Sequence, residues 1–147
     1  MNVTADDVVL LLHAAATLFM FGLIWVVQLV HYPLMDCVSA ERFAAFEKEH
    51  QRRISYLVGP AMLIEGATAI ALFWFRPPTV PSSLVIAGLA LIAVNVVSTA
   101  ALQVPCHTRL ARGFDRETHR RLVTTNTIRT AAWSVRAALV LAMLLVA

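Results

Sequence analysis

Four of the chain's five histidines, His31, His50, His107 and His119, lie at or just beyond the ends of long apolar runs, with Glu47, Glu49, Asp115 and Glu117 close to them in sequence. Imidazole and carboxylate together serve two chemistries. They coordinate zinc, iron or copper, and imidazole, which titrates near neutrality, carries protons. Glu47-x-x-His50 sets two metal-ligand types on one helical face, although a di-iron bundle needs two such elements and this chain has one. Cys37 and Cys106 add thiols in the same regions, at a spacing that matches no metal motif, and read as reduced cysteines. His13 stands apart, near the start of the first apolar run. It suits either a hydrogen bond to a neighbouring helix or axial ligation of a haem held between helices, with Arg53, Arg129 or Arg136 meeting the propionates.

Two further ionisable residues interrupt the apolar runs. Glu65 and Arg136, counted inward from the charged ends of their segments, both lie roughly 15 Å deep at about 1.5 Å per residue. A charge at that depth costs about 2.5–3.5 kcal/mol on insertion scales, so two of opposite sign at one level are most simply paired. Asn95 reaches a similar level and is expected to join them. The pair is either a register-fixing structural contact or one wall of a substrate or proton site. Other polar residues fall on helical faces: His13, Thr17, Ile24, Gln28 and His31 in the first run, Asn95, Ser98, Thr99, Gln103 and Cys106 in the third, Arg129, Trp133 and Arg136 in the fourth. The expected site therefore draws catalytic groups from His31, Glu65, His107, His119, Arg129 and Arg136. Substrate contacts come from Gln28, Asn95, Gln103 and Asn126, cofactor contacts from His13 and Arg53, and metal ligands from Glu47 and His50.

The elements that must position these groups are membrane spans. With 59% apolar and 14% charged residues and a mean hydropathy of +0.73, the chain is too apolar for a soluble domain. Its 147 residues are nearly consumed by four spans. The reading is one all-α domain, an integral membrane four-helix bundle with helices at about 8–30, 54–75, 84–103 and 126–146. Asp6 or Asp7 is expected to cap the first helix, Pro33 and Pro105 to end the first and third, and residues 39–47 to form a short interfacial helix. No secretory signal is evident, since the first residues are acidic and the first apolar run is long. Ten of the twelve Lys and Arg residues fall at one set of ends: Arg42, Lys48, Arg52, Arg53, Arg109, Arg112, Arg116, Arg120, Arg121 and Arg129. Positively charged loops are retained in the cytoplasm, which sets both termini outside and the basic loops inside a plasma (inner) membrane. The net charge of +3 follows from these loops and does not point to nucleic acid. The bilayer is the expected partner, with a homo-oligomer as a further possibility.

Leu12-His13, Gly22-Leu23-Ile24-Trp25, Glu41-Arg42-Phe43 and Gly59-Pro60-Ala61-Met62 together resemble the four-helix, haem-carrying protoporphyrinogen oxidases of bacteria and their copper-resistance-type relatives. That resemblance makes His13 the haem ligand, whereas the lysine those oxidases carry in the third helix is absent here. His31-Tyr32-Pro33 and Gly59-Pro60-Ala61-Met62 are also similar to the small four-span proteins grouped with anthrone oxygenases. Two functions are thus expected of the polar end of the bundle. One is a membrane oxidoreductase acting on a lipid-soluble aromatic or quinone-like substrate. The other is a non-catalytic haem-binding, metal-binding or small-solute transport protein.

Overall fold

The computed structural model describes residues 3–147 and, among these, consists of helices and short connections with no strand. Four helices are long and apolar enough to cross a membrane: α1 (Ala5–Cys37), α2 (Ala40–Ala71), α3 (Ser82–Leu110) and α4 (Arg116–Val146). At about 1.5 Å per residue a helix of this length reaches well beyond a hydrocarbon layer of about 30 Å. The excess lies at one end of the bundle, where α2 and α4 begin, and carries most of the charge. The outer surface is apolar, with Leu63, Trp74, Ile86, Val97 and Leu145 all exposed, as a lipid-facing surface requires.

Each boundary differs from the sequence expectation for a local reason. The first helix is capped not by Asp6 but by Thr4 and Asp7 together: the Asp7 amide donates to Thr4 Oγ1, and the Asp7 carboxylate accepts from the Thr4 amide at 2.9 Å. The interfacial helix expected at 39–47 and the second span are one rod, because nothing between Phe46 and Ile54 breaks a helix. The last span is likewise one rod, unbroken from Arg116 to Val146. Asp115 caps it, accepting from the Thr118 amide and hydroxyl, and the Thr118 hydroxyl holds the Asp115 carboxyl below the usual carboxylate range. Gly113, at φ 150°, makes the turn between α3 and α4 in a conformation that side-chain-bearing residues avoid.

The prolines expected to end α1 and α3 do not end them. Each is preceded by one π turn, Val27–His31 before Tyr32-Pro33 and Thr99–Gln103 before Val104-Pro105. The Tyr32 amide donates to the Val27 carbonyl and the Val104 amide to the Thr99 carbonyl, five residues back in each case. In a regular α-helix the proline ring collides with the carbonyl four residues earlier. A wide turn relieves this and lets the helix continue, at the cost of turning the residues beyond it to a new face.

In the bundle α1 packs against α2 and α4, and α3 packs against α4, while α2 and α3 are the loosest of the four neighbouring pairs. Two apolar clusters fill the interior. The larger, at the charged end, includes Met20, Ile24, Tyr32, Met35, Phe43, Leu110, Leu122 and Trp133; the other gathers Leu10, Leu72, Val80, Val85 and Met143. The buried layer of His13, Thr17, Glu65, Asn95 and Arg136 lies between them along every helix.

Candidate functional site

At the charged end, a carboxylate, an imidazole and a phenol form a line. His107 Nδ1 lies 2.6 Å from Glu47 Oε1, and His107 Nε2 lies 3.0 Å from the Tyr32 hydroxyl. An ionised carboxylate only accepts, so Nδ1–H donates to Glu47 and Nε2 accepts the phenol proton. Glu47 is fully buried and is braced by Gln51, whose Nε2 donates to Glu47 Oε1 at 3.0 Å and to the His107 carbonyl at 3.2 Å. His119 Nε2 donates to the Tyr32 carbonyl at 2.8 Å and so fixes the backbone that presents the phenol. Both π turns contribute: Tyr32 follows the first directly, and His107 lies in the turn of helix after the second. His50 stands between His107 and His31, with ring centroids 5.6 Å from the first and stacked at 4.2 Å on the second.

This line borders a cavity of about 280 Å³. Its apolar wall is Met20, Leu23, Ile24, Val27, Ile54 and Val58, and its polar groups are Tyr32, His50, Gln51, Gln103, His107 and Arg129. Ser55 and Val104, both exposed, stand at its edge on α2 and α3. The cavity therefore reaches the outer surface of the bundle between those two helices. Concave, mostly apolar space with a few convergent polar groups is the usual form of a small-molecule site.

Below the cavity the polar residues form two linked sets. Gln28 Oε1 accepts from Asn126 Nδ2 at 2.9 Å, and Asn126 Oδ1 accepts from Arg129 Nη1 at 3.1 Å. The Arg129 guanidinium lies over the Trp133 ring, 5.3 Å from its centroid. Trp133 Nε1 donates to Glu65 Oε2 at 3.1 Å, and Arg136 Nε donates to Glu65 Oε1 at 2.8 Å. The expected Glu65–Arg136 pair is thus present and buried, and it spans the diagonal between α2 and α4. Arg136 also donates to the Gly88 carbonyl and to Thr17. Asn95, expected to complete this set, is buried but makes no side-chain hydrogen bond; α3 contributes the Gly88 carbonyl in its place. Gln103 instead joins α3 to α4, accepting from Ser98 and donating to Thr125 at 3.1 Å.

His13, expected as a haem contact, is buried beside Thr68 and Arg136. Thr68 spends its hydroxyl proton on the Ile64 carbonyl at 2.7 Å, so His13 Nδ1 donates to Thr68 at 3.0 Å, and His13 Nε2 faces the Arg136 guanidinium at 3.5 Å. The Nδ1 proton is thus committed to Thr68, and the Nε2 lone pair faces Arg136. Arg53 is exposed and pairs with Glu49 at 2.5 Å. Glu47 and His50, expected as metal ligands, turn to different partners. Among the described residues no three His, Cys, Asp or Glu side chains gather in a metal-binding arrangement.

Of the site residues expected from sequence, His107, His119, His31, His50, Glu47, Gln103 and Arg129 gather around the cavity or its proton line, and Gln28 and Asn126 stand behind Arg129. Glu65, Arg136, Asn95 and His13 form the deeper layer. Tyr32 and Gln51 were not expected. Gln51 carried a readable signal, since it lies four residues after Glu47 on the same helical face. Comparison with family models, curated proteins and solved structures gave no match.

Proposed function

We propose that this chain is a membrane oxidoreductase that takes a lipid-soluble aromatic or quinone-like molecule from the bilayer into the cavity between α2 and α3. The observation that carries the reading is His107, hydrogen-bonded on both ring nitrogens between Glu47 and the Tyr32 phenol, at the wall of a cavity that reaches the outer surface of the bundle. A substrate hydroxyl beside the phenol loses its proton to Tyr32 as Tyr32 passes its own to His107 Nε2. The imidazolium so formed is stabilised by Glu47, which keeps the line neutral overall. His50 and His31, stacked beyond His107, stand between the relay and a second hollow lined by Glu49 and Arg53. General acid and base groups held in this way contribute about 10²–10⁴-fold to rate.

The resemblance to the anthrone oxygenase group favours this reading, because its motif residues Tyr32 and Gly59 line the cavity. The haem-carrying alternative has less support, since the His13 Nε2 lone pair faces the Arg136 guanidinium. The same reading sets the basic helix ends in the cytoplasm and both termini outside, in a plasma membrane, from the distribution of Lys and Arg. The test is turnover by the full chain in lipid nanodiscs, with a panel of anthrones, hydroquinones and hydroxynaphthoquinones followed by absorbance and oxygen uptake. An anthrone or hydroquinone of the panel is expected to be oxidised with dissolved oxygen as the electron acceptor, with the rate falling about 10²–10⁴-fold in His107→Ala and Tyr32→Phe. No turnover across the panel, or unchanged rates in both variants, overturns the reading.

A further inference from the structure

Two buried arginines lie two helical turns apart on α4, and only one has an anion. Arg136 is 2% exposed and pairs with Glu65 at 2.8 Å. Arg129 is 6% exposed and, among the described residues, pairs with no carboxylate. Its Nη1 donates to Asn126, which Gln28 holds in turn, whereas its buried Nε has no partner. The same side chain lines the cavity. A guanidinium withdrawn from water and left without an opposite charge is costly, and an arriving anion removes that cost. Its planar N–H groups are suited to an oxyanion, and the Trp133 face beneath holds the plane in position.

We infer that the molecule in the cavity is bound as an anion: an aromatic weak acid whose phenolate or enolate oxygen lies against Arg129. The inference rests on the cavity being the substrate site, as proposed above, and names the substrate's chemistry. It also accounts for the division of the polar groups. A neutral acid entering from lipid gives its proton to Tyr32 and His107, and the oxygen left negative meets Arg129 on α4. Charge is conserved, with one new anion facing Arg129 and one imidazolium facing Glu47. The apolar wall then holds the aromatic body.

A matched pair of probes tests this in nanodiscs: 2-hydroxy-1,4-naphthoquinone, an acid ionised at neutral pH, and 2-methoxy-1,4-naphthoquinone, which cannot ionise. The wild-type chain is expected to bind the acid about 10- to 100-fold more tightly than the ether, the range of a charge-assisted hydrogen bond. In Arg129→Gln that preference is expected to shrink to about threefold or less. The melting temperature of the ligand-free protein gives a second readout. Arg129→Gln removes an uncompensated charge and is expected to melt at or above wild type, whereas Arg136→Gln strands Glu65 and is expected to melt lower. Equal binding of the two probes, a preference that survives Arg129→Gln, or destabilisation of ligand-free Arg129→Gln as large as that of Arg136→Gln each overturns the inference. Preferential binding of the acid without turnover of any panel member leaves the anion site standing and removes the oxidoreductase reading instead.

Discussion

Glu65 uses both carboxylate oxygens on α4, one accepting from Trp133 and the other from Arg136. Removing either member of the ion pair leaves one uncompensated charge in the centre of the bundle, which typically costs about 3–5 kcal/mol. Glu65→Ala and Arg136→Ala are therefore each expected to lower stability by about that much. The double variant should cost less than the sum, with a coupling of at least about 1 kcal/mol; additive losses would show that the two side chains do not interact in the membrane. Equal depth made this pair legible in the sequence. Its further partners were not legible, because a backbone carbonyl such as that of Gly88 has no signature in residue type. Asn95 was misread for the same reason: depth fixes the level of a side chain but not the direction it faces. Tyr32 escaped notice because its role comes from His107 and His119, which lie 75 and 87 residues away. If the phenol relays protons, Tyr32→Phe should lower kcat by about 10²-fold or more with little change in KM, as loss of a group acting in the transition state requires.

The helices show what periodicity captures and where it stops. Four apolar runs fixed the number of spans and their order, and the polar stripes identified the inward faces of α1, α3 and α4. The ends were displaced because proline was read as a terminator. In α3 the wide turn at Thr99–Gln103 accommodates Pro105 and lets the rod continue to Leu110, which brings Cys106 and His107 into the bundle. A π turn amounts to an α-helix with one residue inserted. Deleting the exposed Ala100 together with Pro105→Ala is thus expected to leave a regular helix with its two halves in their original register, and the protein should stay folded. Deleting Ala100 alone restores the proline collision, worth about 3 kcal/mol, and should melt measurably lower. Deleting Leu91 in regular helix rotates everything beyond it by about 100° and should abolish folding. Thermal melts of the three variants in the same detergent decide the point; equal tolerance of all three would mean that the wide turn is not what carries α3 past Pro105.

Taken whole, the molecule is a bundle that is tight on three sides and loose between α2 and α3, with its charge concentrated at one end. On the proposed orientation, drawn from the arginine and lysine distribution, that end lies in the cytoplasm, so a reporter fused after Ala147 should behave as extracytoplasmic and one inserted at Gly113 as cytoplasmic; the reverse pattern would overturn that orientation. The class of fold was legible from composition and hydropathy alone. The cavity was not, because it arises where α2 and α3 pack loosely between Ser55 and Val104, and no residue pattern announces loose packing. On the proposed reading, this lateral gap admits the substrate to the Tyr32–His107–Glu47 line. Its most direct test is to close the gap at exposed positions whose side chains bear no structural load, with Ser55→Trp and Val104→Trp. Both variants are expected to melt within a few degrees of wild type and to lose at least about tenfold in binding of 2-hydroxy-1,4-naphthoquinone, the loss being largest when the two are combined. Wild-type binding by the folded double variant would show that ligands do not enter between α2 and α3.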